Sequence, residues 1–145
     1  MVVPNGETIF RCHTICGESV AGDVLISPEA ICFYMIDSDT GKIIEKNHAL
    51  DGQSITDKIL VLPNGKGSSV VQDEGLYMLK QKKTGPAGII VEIPDTVLVA
   101  GALVMGYPLF DKVNDGFYEC IKNGDRVRVD AVKEIIHLKS RNFFA

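Results

Sequence analysis

The chain has 145 residues, of which 46% are hydrophobic and 23% charged, and its net charge is −4. This composition predicts one globular domain with a sizeable core, residues 1–145, with a loose tail at 138–145. The mild negative charge and the absence of Trp argue against a nucleic-acid-binding protein. Without a long apolar run or a signal-peptide pattern, we expect no membrane contact and a cytoplasmic location.

The first part of the chain predicts strands followed by a long connection. Runs with the composition of strands, bounded by Gly, Ser and Pro, occur at residues 8–15, 19–26 and 30–35. Residues 36–56 are rich in turn formers and predict an ordered connection. Connections of this length often carry function.

The centre of the chain predicts a βαβ core. Strands are expected at residues 58–62 and 87–91, and helices at 70–82 and 96–104, with Asp95 capping the second helix. Residues 109–120 are ambiguous, and residues 126–130 and 134–138 predict a C-terminal hairpin. The predicted fold class is therefore α/β, a βαβ core with additional strands and a C-terminal hairpin.

A turn rich in Pro and Gly at residues 63–67 carries the strongest functional signal. Ser68 and Ser69 follow it, at the start of the predicted helix. Free N–H groups and the helix dipole make such a position an anion receptor. A hydroxyl held there beside Lys66 is also well placed to lose its proton. Serine is equally common as a plain N-cap, so spacing alone leaves both interpretations open.

Other phosphate and hydrolase motifs do not fit this turn. A P-loop fails because Leu60 replaces its first glycine and Gly67 follows the lysine, and a dinucleotide fingerprint fails at Val70. No nucleophile elbow supports a serine hydrolase. His48 lies in the polar connection, where substrate binding and a structural role in the loop are both open.

The four cysteines predict no metal site in this chain. Cys12 and Cys16 would lie about 13 Å apart along one strand, too far to share an ion. Cys32 and Cys120 do not complete a ligand set. Reduced, packed cysteines are the expectation for a cytosolic protein.

Several weak motifs occur together in a specific order. They are Asp-Ser-Asp-Thr-Gly at 37–41, Asn-His-x-Leu-x-Gly-x-Ser at 47–54, Leu-Val-Leu-Pro-x-Gly-Lys-Gly-Ser-Ser at 60–69, Pro-Ala-x-Ile-Ile at 86–90, Gly-Ala at 101–102, Pro-Leu-x-Asp at 108–111 and Gly-Asp-x-Val at 124–127. In this combination, over about residues 18–138, the chain resembles the aconitase X swivel domain family. It departs from that family at 35–39, where two glycines are missing. It departs again at 71–74, where we expect Asp73 and Glu74 in the first helical turn, a position that would repel an anionic substrate.

The resemblance implies a swivelling β/β/α domain that closes over a large subunit in a heterodimeric hydro-lyase. In such enzymes the large subunit carries an iron–sulfur cluster that helps hydroxide leave, and this chain would hold no cofactor. The first serine after Gly-Lys-Gly, here Ser68, would be the proton acceptor. Lys66 and the N–H groups of Gly67 and Ser69 would bind a small anionic substrate, with His48 as a further candidate.

The substrate implied most directly is phosphomevalonate. A hydroxyproline-type dehydratase subunit and a non-catalytic binding or regulatory module are the alternatives. If the site forms at a subunit boundary, the loop at 37–54 and the turn at Ser68 should share one exposed rim.

Overall fold

A computed structural model describes residues 6–67, 69–114 and 116–139 of the chain, with backbone only for residues 69–71. These described residues contain eight strands, three α-helices and one 3-10 helix. In chain order they are β1 (Glu7–Arg11), β2 (His13–Cys16), β3 (Val20–Ile26), the 3-10 helix (Phe33–Met35), β4 (Ile59–Asn64), α1 (Ser69–Lys82), β5 (Gly88–Ile93), α2 (Thr96–Met105), β6 (Leu109–Asp111), α3 (Phe117–Cys120), β7 (Arg126–Asp130) and β8 (Ile135–Lys139).

The strands form one mixed sheet in the order β1-β8-β7-β3-β4-β5-β6-β2. The four strands β3 to β6 are parallel, and α1 and α2 are the crossovers within β4-α1-β5-α2-β6. Strands β7, β8 and β1 extend one side in antiparallel order, and β2 is antiparallel to β6 at the other end. The predicted fold class is therefore confirmed.

The two ends of this sheet are joined by the N-terminal strands. Strands β1 and β2 are separated by Cys12 alone, yet β1 pairs with β8 and β2 pairs with β6. The Cys12 N–H donates to the Glu134 carbonyl at 3.0 Å. The sheet must therefore curl until its edges meet at Cys12, like a closed barrel.

Side chains alternate between two cores along each central strand. On β4, Leu60 and Leu62 belong to a cluster with α1, α2 and the 3-10 helix, whereas Ile59 and Val61 face the interior of the curled sheet. The interior is closed by α3, whose Phe117 ring meets Phe10 edge to face at 5.2 Å. This two-sided burial explains why the central strands are apolar throughout.

The second helix follows its predicted signals closely. The Asp95 carboxylate accepts a hydrogen bond from the Leu98 N–H at 2.8 Å, and Gly106 ends the helix in the left-handed region at φ 79°. Both are the expected cap residues for a helix over residues 96–105. The hairpin at 126–139 is confirmed in the same way.

Three sequence-based assignments differ from the structure. Residues 30–35 are not a strand but lead into the 3-10 helix, and the predicted strand at 8–15 is divided at Cys12. The ambiguous region 109–120 contains β6 and α3. Of the predicted tail, Leu138 and Lys139 belong to β8, and residues 140–145 lie outside the described residues.

Candidate functional site

The candidate site lies where the parallel strands end. Asn64, the last residue of β4, pairs with Ile93, the last residue of β5, and α1 begins five residues after Asn64 at Ser69. The carboxyl edge of a parallel sheet is where α/β proteins bind ligands. Ser68 lies outside the described residues, as does the side chain of Ser69, so their roles stay predictions.

Two glycines shape the turn between β4 and α1. A Cβ on Gly65 would lie 2.5 Å from a carboxylate oxygen of Asp95, so a larger residue would displace that carboxylate from the position in which it caps α2. Gly67 has φ +63°, and a Cβ there would meet nothing within 4 Å. The turn is therefore packed at one end, and its Gly67 backbone faces open space where a ligand can approach.

Lys66 connects the turn to the long loop. Its Nζ lies 3.0 Å from Oε2 of Glu45, and both side chains are partly exposed. The loop at 37–54 therefore meets the turn at Glu45 and Lys66, whereas the shared rim at Ser68 falls outside the described residues and stays a prediction.

Glu45 also carries an acceptor that the described residues do not use. Its Oε1 is buried and has no hydrogen-bond partner among them. A buried carboxylate oxygen without a donor is unfavourable, so this atom is available for a donor from a ligand or another chain. No sequence pattern identifies Glu45, because charge pairing across 21 residues is not visible in spacing.

His48 has a different environment from the one that a substrate contact requires. Its side chain is 0% exposed. Nε2 donates to the Ala30 carbonyl at 3.0 Å, and Nδ1 accepts from the Leu50 N–H at 3.0 Å, which assigns the neutral Nε2–H tautomer from the partners. Both ring nitrogens are thus occupied by the chain itself, and the ring holds the loop in place.

A second buried polar side chain anchors the same region to α1. The Gln72 side chain accepts from the Phe33 N–H at 2.7 Å and donates to the Ile31 carbonyl at 3.1 Å. The loop leading to Glu45 is therefore fixed from both sides, by Gln72 and by His48. A glutamine in an amphipathic helix carries no sequence signal for this role.

Contrary to expectation, the acidic residues Asp73 and Glu74 do not lie in the first turn of α1. The helix begins at Ser69, so Asp73 and Glu74 fall in its second turn and the first turn contains no acidic residue. Asp73 faces α2, where its Oδ1 would lie 3.1 Å from a Cβ on Gly101. Glu74 lines a cleft of about 220 Å³ next to Phe33. The expected position of Asp73 and Glu74 in the first helical turn is therefore wrong.

Within the described part of the chain, no group of three or more His, Cys, Asp or Glu residues could hold a metal ion. Burial, together with the charges of Glu134 and Asp111, raises the pKa of Cys12 to about 11, which keeps the thiol protonated instead of favouring the thiolate that binds metals. The described residues therefore do not fit an iron–sulfur cluster. No helix among the described residues is long and apolar enough to span a bilayer.

Comparison with known proteins identifies the family. The sequence profile of the aconitase X swivel domain matches residues 9–138. This chain belongs to the aconitase X swivel domain family. The matched region includes the turn at 65–67 and the loop that reaches it.

Relatives of this swivel domain match over nearly their whole length. The phosphomevalonate dehydratase small subunit of Methanococcoides burtonii is 37% identical over 133 residues, which cover 91% of this chain and 96% of that protein. The protein of the same name from Methanocella arvoryzae is 38% identical, over 87% and 96% respectively. The crystal structure of Thermococcus kodakaraensis aconitase X in its holo form matches with a TM-score of 0.80 and 32% identity, covering 90% of this chain and 98% of that chain.

Proposed function

We propose that this chain is the small subunit of a two-subunit aconitase-X-type dehydratase, a hydro-lyase active only with a large subunit, and that its substrate is phosphomevalonate. The observation that carries the proposal is a Gly-Lys-Gly-Ser-Ser turn at the start of α1, in a chain similar over its length to proteins named phosphomevalonate dehydratase small subunit. We expect the enzyme to be cytoplasmic.

Ser68 is the proposed proton acceptor. It follows Gly67 and precedes Ser69, the first residue of α1. N–H groups at a helix start and the positive end of its dipole stabilise negative charge on an oxygen held there. Stabilised in this way, the Ser68 alkoxide, formed when the hydroxyl releases its proton to solvent, accepts a proton from carbon and becomes a hydroxyl again.

Substrate binding is assigned to the turn. Lys66 supplies a positive charge, and the N–H groups of Gly67 and Ser69 supply donors for a phosphate or carboxylate group. Glu45 holds Lys66 at the rim, as its 3.0 Å contact indicates. We assign His48 the role of holding the loop in place and not a contact with the substrate, because its ring is buried and both nitrogens are occupied.

The large subunit is the proposed location of the iron–sulfur cluster that the family resemblance implies. The described residues of this chain fit no metal site, so the small subunit contributes binding, orientation and proton removal. A site built this way is complete only when the two subunits meet.

The test is reconstitution. The chain is purified with its cognate large subunit and incubated with phosphomevalonate and with a panel of hydroxyprolines, and loss of water is followed by mass spectrometry. We expect dehydration of phosphomevalonate by the pair and by neither subunit alone. If the pair dehydrates only hydroxyprolines, the substrate is a hydroxyproline and not phosphomevalonate. A stable pair without activity on any of these compounds would favour a non-catalytic module.

A further inference from the structure

Helix α2 has an exposed face without a charged residue. Its ten residues, Thr-Val-Leu-Val-Ala-Gly-Ala-Leu-Val-Met, include no Asp, Glu, Lys or Arg. Leu98, Gly101 and Ala102 are buried against the core. On the opposite side Leu103 is 65% exposed and Val104 is 75% exposed.

At a spacing of 100° per residue, the exposed positions of α2 form one continuous stripe. We call this stripe the α2 face; it consists of Thr96, Ala100, Leu103 and Val104. The neighbouring helix α1 provides the contrast, because its exposed positions include Glu74, Lys80 and Lys82. Both helices cover the same side of the sheet. Although α1 also exposes Tyr77 and Met78, it has charged residues among its exposed positions, as a helix that faces water does, and α2 has none.

The α2 face begins at the candidate site. Asp95, the cap of α2, lies against Gly65 of the turn, and the stripe extends from there along the helix for about 13 Å. Ile93, 69% exposed, ends β5 at the same edge. On the loop side, Met35 and Ile44 are exposed next to Glu45, and their backbones are joined by a hydrogen bond of 3.0 Å.

We propose that the α2 face is a docking surface for the large subunit, which covers it and reaches across the turn at 65–67. This inference rests on the proposed function, which requires a large subunit at that turn. Stable interfaces bury roughly 800 Å² on each partner, more than four side chains supply. The partner must therefore extend beyond the stripe, and the apolar residues beside the site offer the continuation.

The chemistry of the docking surface defines its partner. The face offers methyl and methylene groups and no charge, so the matching surface of the large subunit is apolar and places no carboxylate or ammonium group opposite Leu103 and Val104. Seated there, the large subunit would exclude water beside the turn. The anion-binding groups of Lys66 and Gly67 would then act in a lower dielectric.

The test is binding of Leu103→Lys to the cognate large subunit, measured by isothermal titration calorimetry. We expect the dissociation constant to rise roughly tenfold or more, because a charge would enter an apolar contact. Val132→Lys is the matched control. Val132 is an equally apolar side chain, 90% exposed, in the turn between β7 and β8, and its replacement should change the constant less than about twofold. Val104→Lys serves as the second variant at the face.

The outcomes separate the two proposals. If the wild-type chain does not bind the large subunit, both the proposed function and this docking surface are overturned. If the wild-type chain binds and both lysine variants at the face bind equally well, only the docking surface is overturned. If the free variants melt at a lower temperature but bind the large subunit as tightly as wild type, another segment of this chain covers the α2 face. Loss of a self-associated form would assign it to a second copy, and either result contradicts the proposal.

Discussion

At the scale of single residues, the site already contains a counter-ion for its own lysine. Lys66 and Glu45 lie 3.0 Å apart on the loop and turn, and both are partly exposed. An ion pair with this exposure contributes about 0–1 kcal/mol. In the proposed site an incoming phosphate would form stronger charge-assisted hydrogen bonds, so Lys66 would exchange Glu45 for the substrate. The pair would therefore hold the lysine in position and also lower the affinity of the site for anions.

Glu45→Gln should lower the Michaelis constant of the assembled enzyme for phosphomevalonate by roughly threefold to tenfold at low salt, because the competing carboxylate is removed. Asp39→Asn is the control: it removes the same charge from the same loop, where Asp39 pairs with Lys82 at 3.4 Å. Steady-state kinetics on both variants checks this, and an unchanged or higher constant for Glu45→Gln would show that the pair does not oppose binding.

At the scale of elements, the 3-10 helix and α1 are packed backbone to backbone. A Cβ on Gly75 would lie 2.4 Å from the Phe33 carbonyl carbon. This close approach puts the Gln72 side chain within reach of the segment that leads to the loop. The same packing explains why residues 30–35 do not form a strand: this segment lies against Gly75 of α1. The apolar sequence of the segment does not show this contact, because the glycine lies in a later helix.

Gly75→Ala should therefore destabilise the protein by about 1–3 kcal/mol, as overpacking against backbone does. In an unobstructed helix the same change would stabilise by about 0.5–1 kcal/mol. Gly101→Ala is the matched variant, and it should cost less because its nearest contact is the end of the Leu76 side chain at 2.9 Å. Urea denaturation of both variants measures the difference, and a Gly75→Ala chain as stable as wild type would contradict the close packing.

At the scale of the whole molecule, the closure of the sheet at Cys12 links stability to pH. Burial and two carboxylates raise the pKa of Cys12 from 9.0 to about 11. A raised pKa means that the folded state holds the proton more tightly than the unfolded state does. The corresponding stability is present in full below about pH 9 and is lost as the pH rises toward 11.

The melting temperature of the wild-type chain should accordingly fall between about pH 9 and pH 11. The melting temperature of the Cys12→Ala variant should fall less steeply over that interval. Burial also raises the pKa of Tyr107 and of Tyr118 to about 12, so part of the decline remains in the variant. The cavity that alanine leaves lowers the melting temperature at every pH, whereas titration of the thiol changes the slope of melting temperature against pH. The slopes of the two proteins therefore separate the two effects. Parallel curves for the two proteins would exclude Cys12 as the cause.

Much of the fold follows from local signals, since the central strands are short apolar runs and α2 has Asp95 and Gly106 as its caps. Closure of the sheet does not follow from them, because it depends on which edges β1 and β2 reach and not on their composition. At the site, the Gly-rich turn and Lys66 are visible in the sequence. Glu45 becomes part of the site only through folding, and the buried position of His48 depends on where its loop is fixed.

Proton removal by Ser68 is tested most directly by the turnover of the assembled enzyme carrying Ser68→Ala. We predict that turnover falls by about two to four orders of magnitude while the subunit stays folded, as expected for loss of a general base. Ser69→Ala should lower turnover less, because its proposed task is binding. Should Ser68 also cap α1, loss of that cap costs about 1 kcal/mol, which leaves the subunit folded. If Ser68→Ala lowers the melting temperature but leaves turnover per folded molecule unchanged, Ser68 is a cap and the catalytic assignment is contradicted.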